Sequence, residues 1–171
     1  MKEIFKRVSV REYTNQKVEK EKVEKLLFAG MVAPCARNQR AWEFLVVDDE
    51  KILEKISEGA PYHKMAKEAP LAILVLCNKD KITSPTYIDQ DLAAATENIL
   101  LEVTHLGLGA VWLGVAQNED RMAYLKGVFN IPDNYYVFNV IVIGYPLKEV
   151  KKERIYDGSI VHHNYLGKKY D

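Results

Sequence analysis

Apolar positions are densest over residues 88–115, IDQDLAAATENILLEVTHLGLGAVWLGV. Leu92, Ala95, Ile99, Val103 and Leu106 recur at the three-and-four spacing of one helix face. Ala93, Leu100 and Leu101 widen that face beyond a single stripe, which predicts a helix in the middle of a domain or against another chain. Gly107 stands where a left-handed cap ends such a helix, and Gly109 keeps the connector small. The run AVWLGVA has the β-branched and aromatic content of a buried strand. Gly114 interrupts it, and a glycine inside a strand marks close approach to the backbone. Helix, glycine turn and glycine-bearing strand together predict a core with a ligand at its edge.

The remaining pattern supplies elements on either side. Residues 1–7 read as a short helix anchored by Ile4 and Phe5, and residues 19–31 as an amphipathic helix with Val23, Leu26, Leu27 and Met31 inward. Pro34 ends that helix, and a polar loop leads to a strand over 42–47. Short helices are predicted over 49–58 and 62–68. LAILVLC (71–77) is continuously apolar, as in a strand buried on both faces, and 78–87 is a polar linker. Asn118 is placed to cap a helix through Val128, and a last strand runs over 136–143 before Gly144-Tyr145-Pro146. Four strands interleaved with helices predict an α+β or α/β sandwich, in one domain spanning 1–171. The tail after Pro146 has little periodicity and is expected to pack along a surface, such as that of a second subunit.

Composition narrows the function classes. Lys plus Arg and Asp plus Glu are 24 each, so net charge gives no case for general nucleic-acid or anionic-membrane binding. No stretch approaches the roughly 20 apolar residues of a membrane span. The start MKEIFK lacks the apolar run of a secretory signal, so a cytoplasmic location is expected. Cys35 and Cys77 fit no metal or redox spacing, and Cys77 reads as inert core.

Candidate chemistry is sparse. Arg7, Ser9 and Arg11 alternate, so an extended backbone would put two guanidinium groups and a hydroxyl on one face. That set suits a phosphate, and it equally suits a solvated basic turn. Around Pro34, the small residues Ala33, Cys35 and Ala36 would let a ligand or partner backbone come near, and Asn38 offers donor and acceptor. No histidine lies near Cys35 in sequence to activate it as a nucleophile. Gly107, Gly109 and Gly114 do not form a dinucleotide fingerprint, because a helix precedes them and a strand follows. His162 and His163 are adjacent and suit no shared metal, and His105 reads as a contact with the end of its helix dipole.

Together these segments resemble the FMN-dependent nitroreductase family over nearly the whole chain. The carriers are RVSVREY, APCARNQRAWEF, GLGAVWLG, VIVIGYP and the basic KKER, in the expected order. The resemblance implies a mixed, mainly antiparallel sheet flanked by helices, and a homodimer with FMN at the subunit interface and the C-terminal tail on the partner. It implies that Arg7, Val8, Ser9 and Arg11 hold the phosphate and ribityl chain, with Lys152 and Arg154 closing on the same phosphate. It further implies that Pro34, Cys35, Ala36 and Asn38 reach the flavin from the other subunit, and that the backbone of Leu113, Gly114 and Val115 lies against the ring. No catalytic side chain and no metal are implied, since the flavin carries the chemistry. The implied activity is ping-pong transfer of a hydride from NAD(P)H through flavin N5 to nitroaromatics or quinones. A flavin-binding module without turnover, or an FMN enzyme of other chemistry such as dehydrogenation or reductive dehalogenation, is the alternative. The chain departs from the family at Cys35-Ala36, where serine is common, and at Arg40-Ala41, where Gln-Pro is frequent. Only 78–87 is available as a lid, and Lys64 and Lys67 are weak matches to a lysine at the ring's pyrimidine edge.

Overall fold

The computed structural model describes residues 2–153 and 155–170. Four antiparallel strands form its centre, in the order β1-β2-β4-β3: β1 (Trp42–Val47), β2 (Leu71–Asn78), β3 (Gly109–Gly114) and β4 (Tyr135–Gly144). The expected mixed character enters outside these strands, at a parallel bridge between Ser9 and Ala110.

The continuous apolar run of β2 follows from its place between β1 and β4, with a core on each face. Leu71, Ile73, Val75 and Cys77 point into one core, and Ala72, Leu74 and Leu76 into the other, as the two-residue period of a strand requires. In β4 the alternation slips. Val75 pairs with Asn139 and Leu76 with Val137, a bulge that skips Phe138. Asn139 thereby turns toward α4 (Ile88–His105), where its Nδ2 donates to Thr96 Oγ1 at 2.9 Å.

The first core lies under α4 and α2 (Lys20–Met31). Leu92, Ala95, Ile99 and Val103 are buried there as the periodicity predicts, while Ala93, Leu101 and Leu106 stay half-buried. Gly30 permits the close fit of α2: a Cβ there would stand 2.8 Å from Phe44 Cζ. The far end of α2 turns outward instead. Met31, expected inside, is 49% exposed beside Phe28 and Val32, because the core-facing stripe of α2 runs through Leu26 and Gly30.

The second core holds α3 (Glu50–Glu58) and α5 (Glu119–Phe129). Asp49 caps α3 by accepting from the Lys51 and Ile52 amides, and Asn118 caps α5 by accepting from Arg121 N–H. The helix expected over 62–68 is a run of tight 3₁₀ turns, Pro61–Glu68, and the linker contains two more, Lys79–Lys81 and Pro85–Tyr87. At the start of the chain, α1 is a single turn, Glu3–Lys6. Among the described residues no helix is long and apolar enough to cross a membrane.

Candidate functional site

Residues 7–13 are stitched to the open side of β3. Val10 N–H donates to Ala110 O at 2.9 Å, and the buried Tyr13 hydroxyl donates to Val10 O and lies 3.2 Å from Val142 O. Val10 is therefore buried while Ser9 and Arg11 face outward. Arg7 is half-buried, with Nε 3.4 Å from Glu97 Oε1 on α4, and Val8 packs partly against the second core. Gly109 makes this seam possible, since a Cβ there would stand 2.7 Å from Val10 Cγ2. Close approach of one backbone segment to another thus occurs at Gly109.

Gly114 has the opposite surroundings. It is exposed, and a Cβ built on it meets nothing within 4 Å, while Leu113 and Val115 beside it are buried. Arg121 Nη1 donates to Gly114 O at 3.0 Å. His63 is 1% exposed, and its Nδ1 lacks a hydrogen-bond partner among the described residues. Burial, with the Arg121 charge nearby, holds its pKa below the ordinary histidine value, and the Ile56 and Gly114 backbones act in the opposite direction. Neither residue carries a local sequence signal that marks it as part of the site.

The two ends of the chain meet beside this edge. A cavity of about 540 Å³ has Phe5 and Lys6 on one side and Val150, Lys151 and Lys152 on the other. Lys152 is thus brought to the segment that carries Arg7. Arg154, matched to the same role, lies outside the described residues.

The loop holding Pro34, Cys35, Ala36 and Asn38 is built around Asp91, a buried acid in the first turn of α4. Asp91 Oδ1 accepts from Ala36 N–H at 2.9 Å and Oδ2 from Gln39 Nε2 at 2.6 Å. Gln39 Oε1 in turn accepts from the Thr83 and Ser84 amides, which ties the linker to the loop. Arg37, Asn38 and Arg40 have φ of 50°, 55° and 45°, a left-handed backbone that non-glycine residues adopt at a cost of about 1–3 kcal/mol each. Arg40 faces water and donates from Nε to Asn38 Oδ1 at 2.8 Å, and Cys35 Sγ accepts from Arg40 N–H. Asp91 and Glu97 lie six residues apart on α4. Their side chains leave that helix about 120° apart, so the loop and Arg7 occupy different faces.

The other candidates are structural. Cys77 is buried, and burial pushes its thiol up to about 11, with the Asp91 charge adding to the shift. His105, the last residue of α4, pairs through Nδ1 with Glu3 at 3.3 Å. The site thus consists of outward cations and a hydroxyl at one end of an open strand edge, a bare glycine at the other, and a strained loop elsewhere.

A family model described as the nitroreductase family matches residues 4–61 and 55–145. The chain is 43% identical over 151 residues to an Archaeoglobus fulgidus protein provisionally named NADH dehydrogenase/NAD(P)H nitroreductase, covering 87% of this chain and 86% of that one. Its fold is similar to that of a Clostridium acetobutylicum protein provisionally named an NADH oxidase, at 45% identity and a TM-score of 0.93, covering 95% and 99% of the two chains. An FMN-dependent nitroreductase from Clostridium difficile R20291 is similar at 33% identity and a TM-score of 0.88, covering 95% and 98%.

Proposed function

The chain belongs to the nitroreductase family, and from that premise we propose that it is a homodimeric FMN-dependent oxidoreductase carrying electrons from NAD(P)H to electron-poor acceptors such as nitroaromatics or quinones. The observation that carries this reading is the seam of residues 7–13 on β3, which sets Ser9 and Arg11 along the same open edge as Gly114. Ala110 and Gly114 are four steps apart along the strand, about 13 Å, a span suited to a phosphate at one end and a ring at the other.

The donor set fits FMN on two counts. Outward cations and a hydroxyl suit a phosphate dianion. The bare backbone at Gly114 leaves room for a flat ring that a side chain would obstruct. The chemistry that FMN supplies when bound is two-electron transfer, from a nicotinamide to the acceptor that follows it in the same place. In this chain Arg7, Ser9 and Arg11, with Lys152 and Arg154, bind and neutralise the phosphate, and Val8 contributes through its backbone. Leu113, Gly114 and Val115 orient the ring, with peptide N–H groups favouring charge that develops on it.

Pro34, Cys35, Ala36 and Asn38 act on the second protomer's cofactor. Exposed apolar side chains support such a dimer. Phe28 and Val32 on α2, Phe5 on α1, and Ile155, Tyr156, Tyr165 and Leu166 in the tail are each more than half exposed. Scattered apolar side chains are normal on a surface, but neighbouring ones of this size mark an interface.

The test is the behaviour of purified, FMN-loaded protein. Yellow protein bleached by NADH or NADPH and recoloured by a nitroaromatic is the expected result. Yellow protein that neither donor bleaches favours a flavin-binding module, and protein that takes up no added FMN overturns the reading.

A further inference from the structure

Strand β3 ends at Gly114, a residue with no side chain to fix its own backbone. Val10 N–H reaches Ala110 O from the outer side of β3, so strand alternation aims the N–H and C=O of Trp112 and Gly114 to that side as well. Of the Gly114 groups, the carbonyl is held: Arg121 Nη1 donates to it at 3.0 Å. Arg121 is itself fixed at the start of α5, where Asn118 Oδ1 accepts its backbone N–H at 3.0 Å. No carboxylate pairs with its guanidinium among the described residues. A half-buried arginine with no acidic partner therefore spends a charged donor on a single peptide carbonyl at the edge of the candidate site.

We propose that Arg121 is a positioning residue that sets the redox balance of the bound flavin through the Gly114 carbonyl. The inference rests on the reading of the β3 edge as the place of the FMN ring. Two effects follow from the geometry and have the same sign. Pinning the carbonyl removes the backbone freedom of Gly114 and holds its N–H toward the open edge. The guanidinium also leaves an uncompensated positive charge within one peptide of the ring. Two-electron reduction with uptake of one proton adds a negative charge to the ring, so both effects favour the reduced form over the oxidised one. Arg121 touches neither cofactor nor substrate in this arrangement and acts through Gly114.

The experiment compares the FMN-loaded parent with Arg121→Met and Arg121→Lys, measuring affinity for oxidised FMN by fluorescence and the midpoint potential by spectroelectrochemistry. In R121M, affinity for oxidised FMN is expected to stay within about threefold of the parent, while affinity for reduced FMN falls about tenfold. By linkage that is a midpoint lower by about 30 mV for a two-electron couple. R121K keeps the charge and loses the forked donor, so its loss is about threefold; if R121M does not fold, R121K alone is compared with the parent. An unchanged midpoint in the folded variants overturns the proposal. So does an equal loss of affinity for both redox forms, which is what a purely structural arginine would give. These failures leave FMN binding by the parent intact, whereas a parent that takes up no FMN sinks the cofactor reading and this inference with it.

Discussion

Residues 7–13 and the tail beyond Pro146 flank the same edge of the sheet, and they are held in opposite ways. The first segment has Val10 and Tyr13 buried, a backbone bond to β3 and a hydroxyl on two carbonyls. The tail begins well, with Leu147 N–H donating to Glu12 O and Lys148 Nζ paired with Glu12 at 2.9 Å. Beyond that, among the described residues, its hydrogen bonds are local, as from Val161 to Gly158 and His163 to Lys168, and its large side chains are bare. A segment with its contacts inside the protomer is specified by that protomer. A segment rich in exposed Tyr, Ile and Leu is specified by what it meets. On the proposed dimer, the contrast separates cations held by contacts within the protomer from cations on a tail whose apolar side chains await a partner.

The sharpest break of this comparison is deletion of residues 148–171. The protomer should keep its sheet, while FMN affinity falls by about 3 kcal/mol or more, the loss of charge-assisted contacts from Lys152 and Arg154. Titration of the truncated protein with FMN checks this, and parent-like affinity would place the phosphate away from the tail. On the other side, Gly109→Val forces a side chain into the space of Val10 and should destabilise the protomer by about 2–3 kcal/mol, read from denaturant unfolding. Tyr13→Phe removes a buried donor from the same seam and should cost about 1–2 kcal/mol, with the largest loss of hydrogen-exchange protection at Val10.

A smaller effect concerns pH. His63 has its folded pKa lowered, chiefly by burial, so the unfolded chain binds the proton more readily. Its neutral form supports the fold fully above the unfolded value of about 6.5, and that support is lost as pH falls below it toward the lower folded value. Unfolding midpoints measured from pH 7.5 to 5 should decline, and His63→Gln should flatten the decline. Smallest of all, Leu166→Ser in the bare tail should shift protomer stability by no more than about 0.5 kcal/mol while weakening self-association. A large loss of protomer stability would show that the tail folds from within.

What could be read in the sequence was whatever period and local chemistry encode. The apolar face of α4, the two-sided core of β2, the cap at Asn118 and the left-handed Gly107 all follow from short-range pattern. The order β1-β2-β4-β3 does not, because pairing between strands far apart in the chain leaves no periodic trace. The same limit hid the frame of the 34–41 loop. Asp91 sits in an apolar helical stripe, and a lone acid there is a signal that a buried partner exists, but nothing local says that the partner is Gln39. Arg121 and His63 were missed for a related reason: each reaches Gly114 only once α5 and the 61–68 turns have packed. Met31 misled because an apolar residue near a helix end satisfies the periodicity whether it faces core or solvent. The placement of Arg7, Ser9 and Arg11 on an extended backbone was legible, while the approach of Lys152 to Phe5 and Lys6 depended on topology.

The seam between residues 7–13 and their partners also orders events during synthesis. Tyr13 bridges to Pro146, and Thr14 N–H donates to Tyr145 O, so one piece of chain docks against another made about 130 residues later. At about 5–20 residues per second, ribosomes need on the order of ten seconds to travel that interval. The arginine-bearing segment has no strand to dock on until β3 is made, about a hundred residues after Val10. Slowing translation anywhere between these partner segments would lengthen that wait.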